Sequence, residues 1–421
     1  MFRGFSQLFN KANKDLRKRI YITLFCLGLF ALGSSVTIPW ATQIYQDLGF
    51  LEIFNIMSGG GLRSFSIFAL GVSPYITASI ITQLLQMDIV PYFKDLKDQG
   101  YTGRQKINKI NRYMGIIIGF FQAYVLCIAY MGSASVFVQL KTALVMTAGT
   151  AFCLWMGDQI TNKGIGNGQS MLIMAGIILS MPSIFTGAYY GFVTSGTYET
   201  ALGIFFFCLF ILVYVLIVVG IIWIQLAERR IPIQYTSSSI SLSKPSEANY
   251  LPLKVNSASV IPVIFASSLM MAPIQIASFF PSNDFIKEMQ KWLGLQTWYS
   301  LVIYVLLILF FTFFYTKMQI NPEKVAENLG KSGSYIPSVR PGNETKEYIN
   351  RVLSRITVLG SVALAIIAVM PHIMPLVWPD LPNSMALGGT GMIIVVGVAI
   401  ETVRQVQGLI TQKSYKKYYE D

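Results

Sequence analysis

Read along its length, the chain alternates long apolar runs with short polar ones, and the apolar runs are of membrane-crossing size. A helical span needs roughly 20 apolar residues. Ten stretches fit, near 20–38, 74–90, 113–131, 143–160, 170–188, 201–224, 257–277, 298–316, 356–374 and 385–403. A further apolar piece, 62–72, stands before the second span and is set off from it by Gly71 and Pro74. The pattern predicts a short re-entrant helix, a break, then a longer helix. Broken backbone at bilayer depth is tolerated only where protein buries it or where it lines a cavity. The break therefore points to a pore or a substrate path.

Composition agrees with a polytopic membrane protein. Of 421 residues, 53% are hydrophobic and 12% charged, against about 25% charged in a soluble domain. The polar segments add an orientation. Segments 1–19, 91–112, 158–168, 225–256, 317–355 and 404–421 hold 28 of the 32 Lys and Arg residues. The opposite-side loops hold Lys141, Lys287 and Lys291, and Arg63 opens the re-entrant piece. By the positive-inside rule both termini are cytoplasmic. The net charge of +12 then faces anionic lipid heads and a cytosolic partner, not nucleic acid. The basic N-terminus runs into a full span, so no cleavable leader is expected.

The spans are poor in chemistry. Residues 64–87, 113–131, 143–157, 169–198, 255–283, 299–316 and 381–400 contain no Asp, Glu, Lys, Arg or His. Ion-coupled transport needs a group near the midplane whose charge changes. A charged selectivity ring or an intramembrane active site needs ionisable groups as well. Neither an enzyme nor a cofactor or metal site is expected. Cys26, Cys127, Cys153 and Cys208 all fall inside spans, without metal-ligand or disulfide-framework spacing. The single His372 reads as structural.

What the interior offers is isoleucine. Ile76 and Ile80 share one face after Pro74, and Ile264 follows Pro262 at the offset that Ile76 has from Pro74. These elements lie in spans two and seven, which correspond if the chain is two five-span halves, 1–200 and 201–421. Interrupted helices at matching positions point to an inverted repeat around a central path. Between spans four and five, the Gly-rich run 157–168 reads as a tight hinge. Two long loops, 225–256 and 317–355, read as a docking surface. In the second, Asn321 and Pro322 start a helix, and Ile336–Gly342 holds Arg340 at a stiff tip.

Several stretches carry a resemblance. They are Phe65–Ala69 with Gly71 and Pro74-Tyr-Ile-Thr-Ala-Ser-Ile80; Gly164-Ile-Gly-Asn-Gly168; Ala227-Glu-Arg-Arg230; Leu251-Pro-Leu-Lys-Val-Asn256 with Val260-Ile-Pro-Val-Ile-Phe-Ala-Ser-Ser268; Asn321–Asn328; Ile336–Gly342; and Gly388-Gly-Thr390 with Ile394-Val-Val-Gly-Val398. In this order the chain resembles the SecY family of bacterial protein-translocase channels. The resemblance implies an all-α membrane protein: ten transmembrane helices in two inverted five-helix halves around an hourglass pore. It implies a pore ring of Ile76, Ile80, Ile173, Ile264 and Ile394, and a plug of Leu62, Arg63, Ser64, Phe65, Ile67, Phe68 and Leu70. It implies a lateral gate tuned by hydrogen bonds from Gln83, Gln122, Ser267 and Ser268. Arg229, Arg230, Lys254 and Arg340 would dock a SecA-type motor or a ribosome. SecE- and SecG-type subunits would clamp the channel in the bacterial cytoplasmic membrane. Unfolded secretory chains would cross it, and apolar segments would leave sideways into lipid. Gln169 replaces an apolar residue common in relatives and is expected to wet the ring. The loop tip Thr236–Ser243 is Ser-rich where relatives are often basic. An accessory paralogue with few substrates, a membrane insertase and a small-molecule secondary transporter are the alternative readings.

Overall fold

A computed structural model describes residues 14–41, 52–86, 90–132, 134–194, 199–235, 250–277, 292, 297–377 and 384–420. The helices are α1 (Lys14–Ser35), α2 (Glu52–Met57), α3 (Ser73–Leu85), α4 (Pro91–Asp98), α5 (Tyr101–Tyr130), α6 (Val136–Lys163), α7 (Gly168–Tyr189, continued by a π turn), α8 (Thr200–Leu226), α9 (Ile261–Ala277), α10 (Trp298–Gln319), α11 (Pro322–Lys331), α12 (Asn343–Val377) and α13 (Ser384–Glu420). Local chemistry sets several starts. Asn167 caps α7 by accepting from the Gln169 and Ser170 N–H groups. Asn321 does the same for α11 through Glu323 and Lys324, with Pro322 in the first turn, as the sequence indicates.

Among the described residues, seven helical stretches are long and apolar enough to cross a membrane. They fall at the third, fourth, fifth, sixth, eighth, ninth and tenth expected spans. At the first, second and seventh stand α1, α3 and α9, of 22, 13 and 17 residues. The first turns of α1 carry Lys14, Asp15, Arg17, Lys18 and Arg19, α3 is shorter than a full crossing, and α9 runs to the edge of the described residues.

Residues 62–72 are not the expected helix. They form consecutive turns with left-handed backbone at Phe65 (φ 46°) and Gly71 (φ 52°). The cause is where their hydrogen bonds go. The Ile38 N–H donates to the Phe65 carbonyl at 2.9 Å, and the Ile67 N–H donates to the Val36 carbonyl at 3.0 Å. Thr37 and Ser66 thus make an antiparallel bridge. Groups that a helix would use internally are committed to the end of α1.

The all-α expectation also needs correction, because the two long loops contain strands. β1 (Glu228–Pro232) pairs antiparallel with β3 (Tyr250–Lys254), and β2 (Gln234–Tyr235) pairs with β4 (Ser334–Tyr335). The second pairing sews one loop to the other, reinforced by the Tyr335 hydroxyl donating to Gln234 Oε1 at 3.0 Å. Beneath it lies a separate apolar core of Ile231, Leu253, Ile336, Ile349, Leu353 and Ile356. The loops form one knot, not two independent projections.

Helix packing traces a closed circuit. α3 packs on α5, α5 on α6, α6 on α7, α7 on α13, α13 on α12, α12 on α10, α10 on α9, and α9 returns to α3. Among the described residues, the α3–α9 contact is the sparsest in the circuit. α1 lies against α6 and α7, and α8 lies against α12 and α13.

Ile349 is fully buried in the knot. Ile349→Ala is expected to destabilise this unit by about 2–5 kcal/mol, the usual cost of such a cavity. Limited proteolysis should then cut within 225–256 and 317–355 much faster, while the membrane-buried helices keep their protection.

Candidate functional site

Four helices of the circuit carry the five isoleucines: Ile76 and Ile80 on α3, Ile173 on α7, Ile264 on α9 and Ile394 on α13. All belong to one continuous apolar core. Four are buried, and Ile264 is half-buried against that core. The helices that carry them are members of the closed circuit.

The turns at 58–72 enter the same core. Leu62, Phe65, Phe68 and Leu70 are buried, Ser64 and Ile67 half-buried, and Arg63 exposed. Phe68 stacks between Phe30 of α1 and Phe152 of α6, with centroids 6.0 and 5.9 Å away. Two glycines permit the fit. A methyl at Gly149 of α6 would run into the Ile67 carbonyl, and one at Gly176 of α7 would run into the Met57 carbonyl. Sequence reading missed both. Their signal is a glycine inside an apolar span, where small residues allow close backbone approach.

The gate residues differ from expectation. Gln83 Nε2 donates to Ser79 Oγ at 3.0 Å, and Ser267 Oγ donates to the Ile264 carbonyl at 2.9 Å. Both bonds stay within their own helices instead of crossing between helices. The Gln83 Oε1 atom is buried without a hydrogen-bond partner among the described residues. Gln122 on α5 and Ser268 on α9 are half-buried. Gln169, expected to wet the ring, is engaged at the α6–α7 junction. Its Nε2 donates to Asp158 Oδ1 at 3.4 Å, and Asp158 pairs with Arg112 at 2.9 Å.

The four basic residues divide. Arg229, Arg230 and Lys254 sit on the β1–β3 hairpin. Arg230 is held at home by Glu228 (2.8 Å) and by the Tyr250 ring (4.7 Å). Partial burial, and after it the nearby Arg404, hold the Lys254 ammonium below the usual lysine range. Arg340 stands at the other loop's tip between Ser338 (φ 66°) and Gly342 (φ 101°). Its side chain is 87% exposed and pairs only loosely, at 3.9 Å, with Glu344. The Ser-rich tip 236–243, and Lys287 and Lys291, lie outside the described residues. His372 is buried edge-on to the Tyr304 ring at 5.8 Å.

A closed circuit of apolar helices, with a folded segment of turns packed into its core, fits a membrane channel. A family model for SecY matches residues 66–403. A protein translocase subunit SecY of Staphylococcus epidermidis is 42% identical over 431 residues, covering 99% of this chain and 99% of that one. The fold is similar to a solved protein-conducting channel, with TM-score 0.70 at 18% identity over 93% of this chain and 92% of that one. It is also similar to Sec61 in a canine ribosome–channel complex from the endoplasmic reticulum, with TM-score 0.67 at 17% identity and the same coverage. The chain belongs to the SecY family. It is a protein translocation channel and not an enzyme, and the transporter reading is not favoured.

Gly149→Ala must push on the Ile67 backbone and is expected to loosen residues 62–72 by about 1–3 kcal/mol. The check is maleimide labelling of Ile67→Cys in a background lacking the native cysteines. Labelling should rise with Gly149→Ala and stay unchanged with Gly28→Ala, where a methyl meets nothing within 4 Å.

Proposed function

We propose that unfolded secretory chains cross this channel through the ring of Ile76, Ile80, Ile173, Ile264 and Ile394. The observation that carries this reading is the circuit itself: the five isoleucines lie on four of its helices, and its sparsest contact is α3–α9. Apolar β-branched side chains form a gasket around a moving chain. They offer ions no ligand and dewet when the pore is idle. Residues 62–72 act as the plug, although as turns and not as a helix. They seal the outer funnel, and an arriving chain displaces them. The α3–α9 seam is the lateral gate, through which sufficiently apolar segments reach lipid, with Gln83, Gln122, Ser267 and Ser268 beside it.

The channel spans the bacterial cytoplasmic membrane with ten helices in two inverted halves, 1–200 and 201–421, and both termini are cytoplasmic. Small SecE- and SecG-type subunits brace it. A SecA-type motor or a ribosome drives transport by docking on the knot, with Arg229 and Arg340 as its outward cations. Arg230 and Lys254 add to the same docking surface from the exposed positions of β1 and β3.

Site-specific crosslinking tests the pore. One cysteine is placed at Ile76 or Ile264 in a background lacking the native four, and a secretory protein with a single cysteine is stalled partway. A disulfide is expected whose position in the substrate moves with the stall point. Absence of any crosslink at both sites, with the channel assembled and lipid-facing controls behaving, would remove the ring assignment. For docking, Arg340→Ala is expected to slow motor-driven export by about fivefold or more, the scale of truncating an interface arginine worth ~1 kcal/mol. Channel abundance should not change.

A further inference from the structure

The spans are nearly free of charge, yet one ion pair stands at their edge where four helices meet. Arg112 of α5 and Asp158 of α6 approach to 2.9 Å, with side chains 48% and 22% exposed. From α7, Gln169 donates to the same carboxylate at 3.4 Å, and its carboxamide lies over the Cα of Gly157. From α3, the half-buried Tyr75 lies near enough for Asp158, Arg112 and Asn111 to act on its phenol. Asn111 is buried, and its Oδ1 has no hydrogen-bond partner among the described residues. The start of α3 is pressed onto α5 as well. A methyl at Gly115 would come within 3.2 Å of the Tyr75 Cα, and one at Gly119 within 3.4 Å of the Pro74 ring.

The far side of α3 is built differently. Its contact with α9 is sparse, and Gln83 and Ser267 hydrogen-bond inside their own helices. Among the described residues, α3 is thus held by close packing beside the ion pair on one flank and by sparse contact on the other. Charge-assisted bonds are directional and roughly twice as strong as neutral ones, whereas sparse apolar packing separates without leaving charge unpaired.

We infer that Asp158, through Arg112, Tyr75, Asn111 and Gln169, is a positioning residue for lateral release. It binds α3, α5, α6 and α7 into one wall, so that a passing segment parts the circuit at α3–α9 and not at α3–α5. The inference rests on the pore and seam reading above and adds the group that decides where the seam lies. Asp158 touches no reacting or translocating group in this role. It acts through the helices it joins.

The test uses the full channel with its partner subunits in proteoliposomes. One substrate carries a marginally apolar segment that divides between lipid and the lumen; another is a soluble secretory protein. With Asp158→Asn or Arg112→Gln, the ratio of integrated to translocated segment should fall about two- to fivefold, the range of a half-exposed ion pair. Export of the soluble protein should stay within twofold of the parent. Arg112→Lys, and the exchanged pair Arg112→Asp with Asp158→Arg, should restore most of the ratio. A ratio unchanged in Asp158→Asn would overturn the inference. So would equal losses of integration and export that the exchanged pair does not repair, since a merely structural role gives that result. Crosslinking at Ile76 in the parent separates the two layers: its absence sinks the pore reading itself, whereas its presence beside an unchanged ratio sinks only the role of Asp158.

Discussion

Every backbone N–H and C=O inside a bilayer must find a partner within the protein, and the stretch 58–72 meets that demand without forming a helix. Its answer is a series of local turns together with two borrowed bonds. Phe65 and Ile67 bond to Ile38 and Val36, so the end of α1 serves as a strand partner for a segment of turns. The arrangement forces much of what surrounds it. α1 must end where it does, α6 and α7 must present glycine where the carbonyls of Ile67 and Met57 arrive, and α3 can begin only at Ser73. A helix that begins so late is too short to cross alone, which is why α3 leans on α5 along its first turn.

A partner that is borrowed can also be returned. Few of the bonds that hold 58–72 are the cooperative, consecutive kind that makes a helix hard to open from its middle. Its apolar side chains supply most of the hold: Leu62 and Phe65 are fully buried, and Phe68 is stacked between two rings. Burial of this sort is strong in sum and undirected, so another apolar segment can compete for the same space.

How far the sequence reaches depends on the kind of signal. Span positions were legible because length and charge asymmetry are bulk properties; seven described helices stand where the hydropathy places them. The Asn321–Pro322 start was legible because capping is local chemistry. The shared face of Ile76 and Ile80 was legible because helical spacing is fixed. Residues 62–72 were misread as helix because a short, mainly apolar piece has no clear period to distinguish a helix from packed turns. β2 and β4 were missed because two-residue strands separated by about a hundred positions leave no local pattern. Gln83 and Ser267 were expected to bond across helices, but a side chain's partner depends on rotamer and neighbour, which spacing alone does not set.

The knot has a consequence for the order of synthesis. β1 and β3 come from the first long loop, but the residues that close their core, Ile336, Ile349, Leu353 and Ile356, come later, from the second loop and from α12. A growing chain that has finished α9 therefore carries a hairpin with one apolar side still open to water. The two-loop unit becomes a completed surface only after the start of α12 has been made. Under the docking role proposed above, an unfinished channel thus withholds the platform that would load it with cargo.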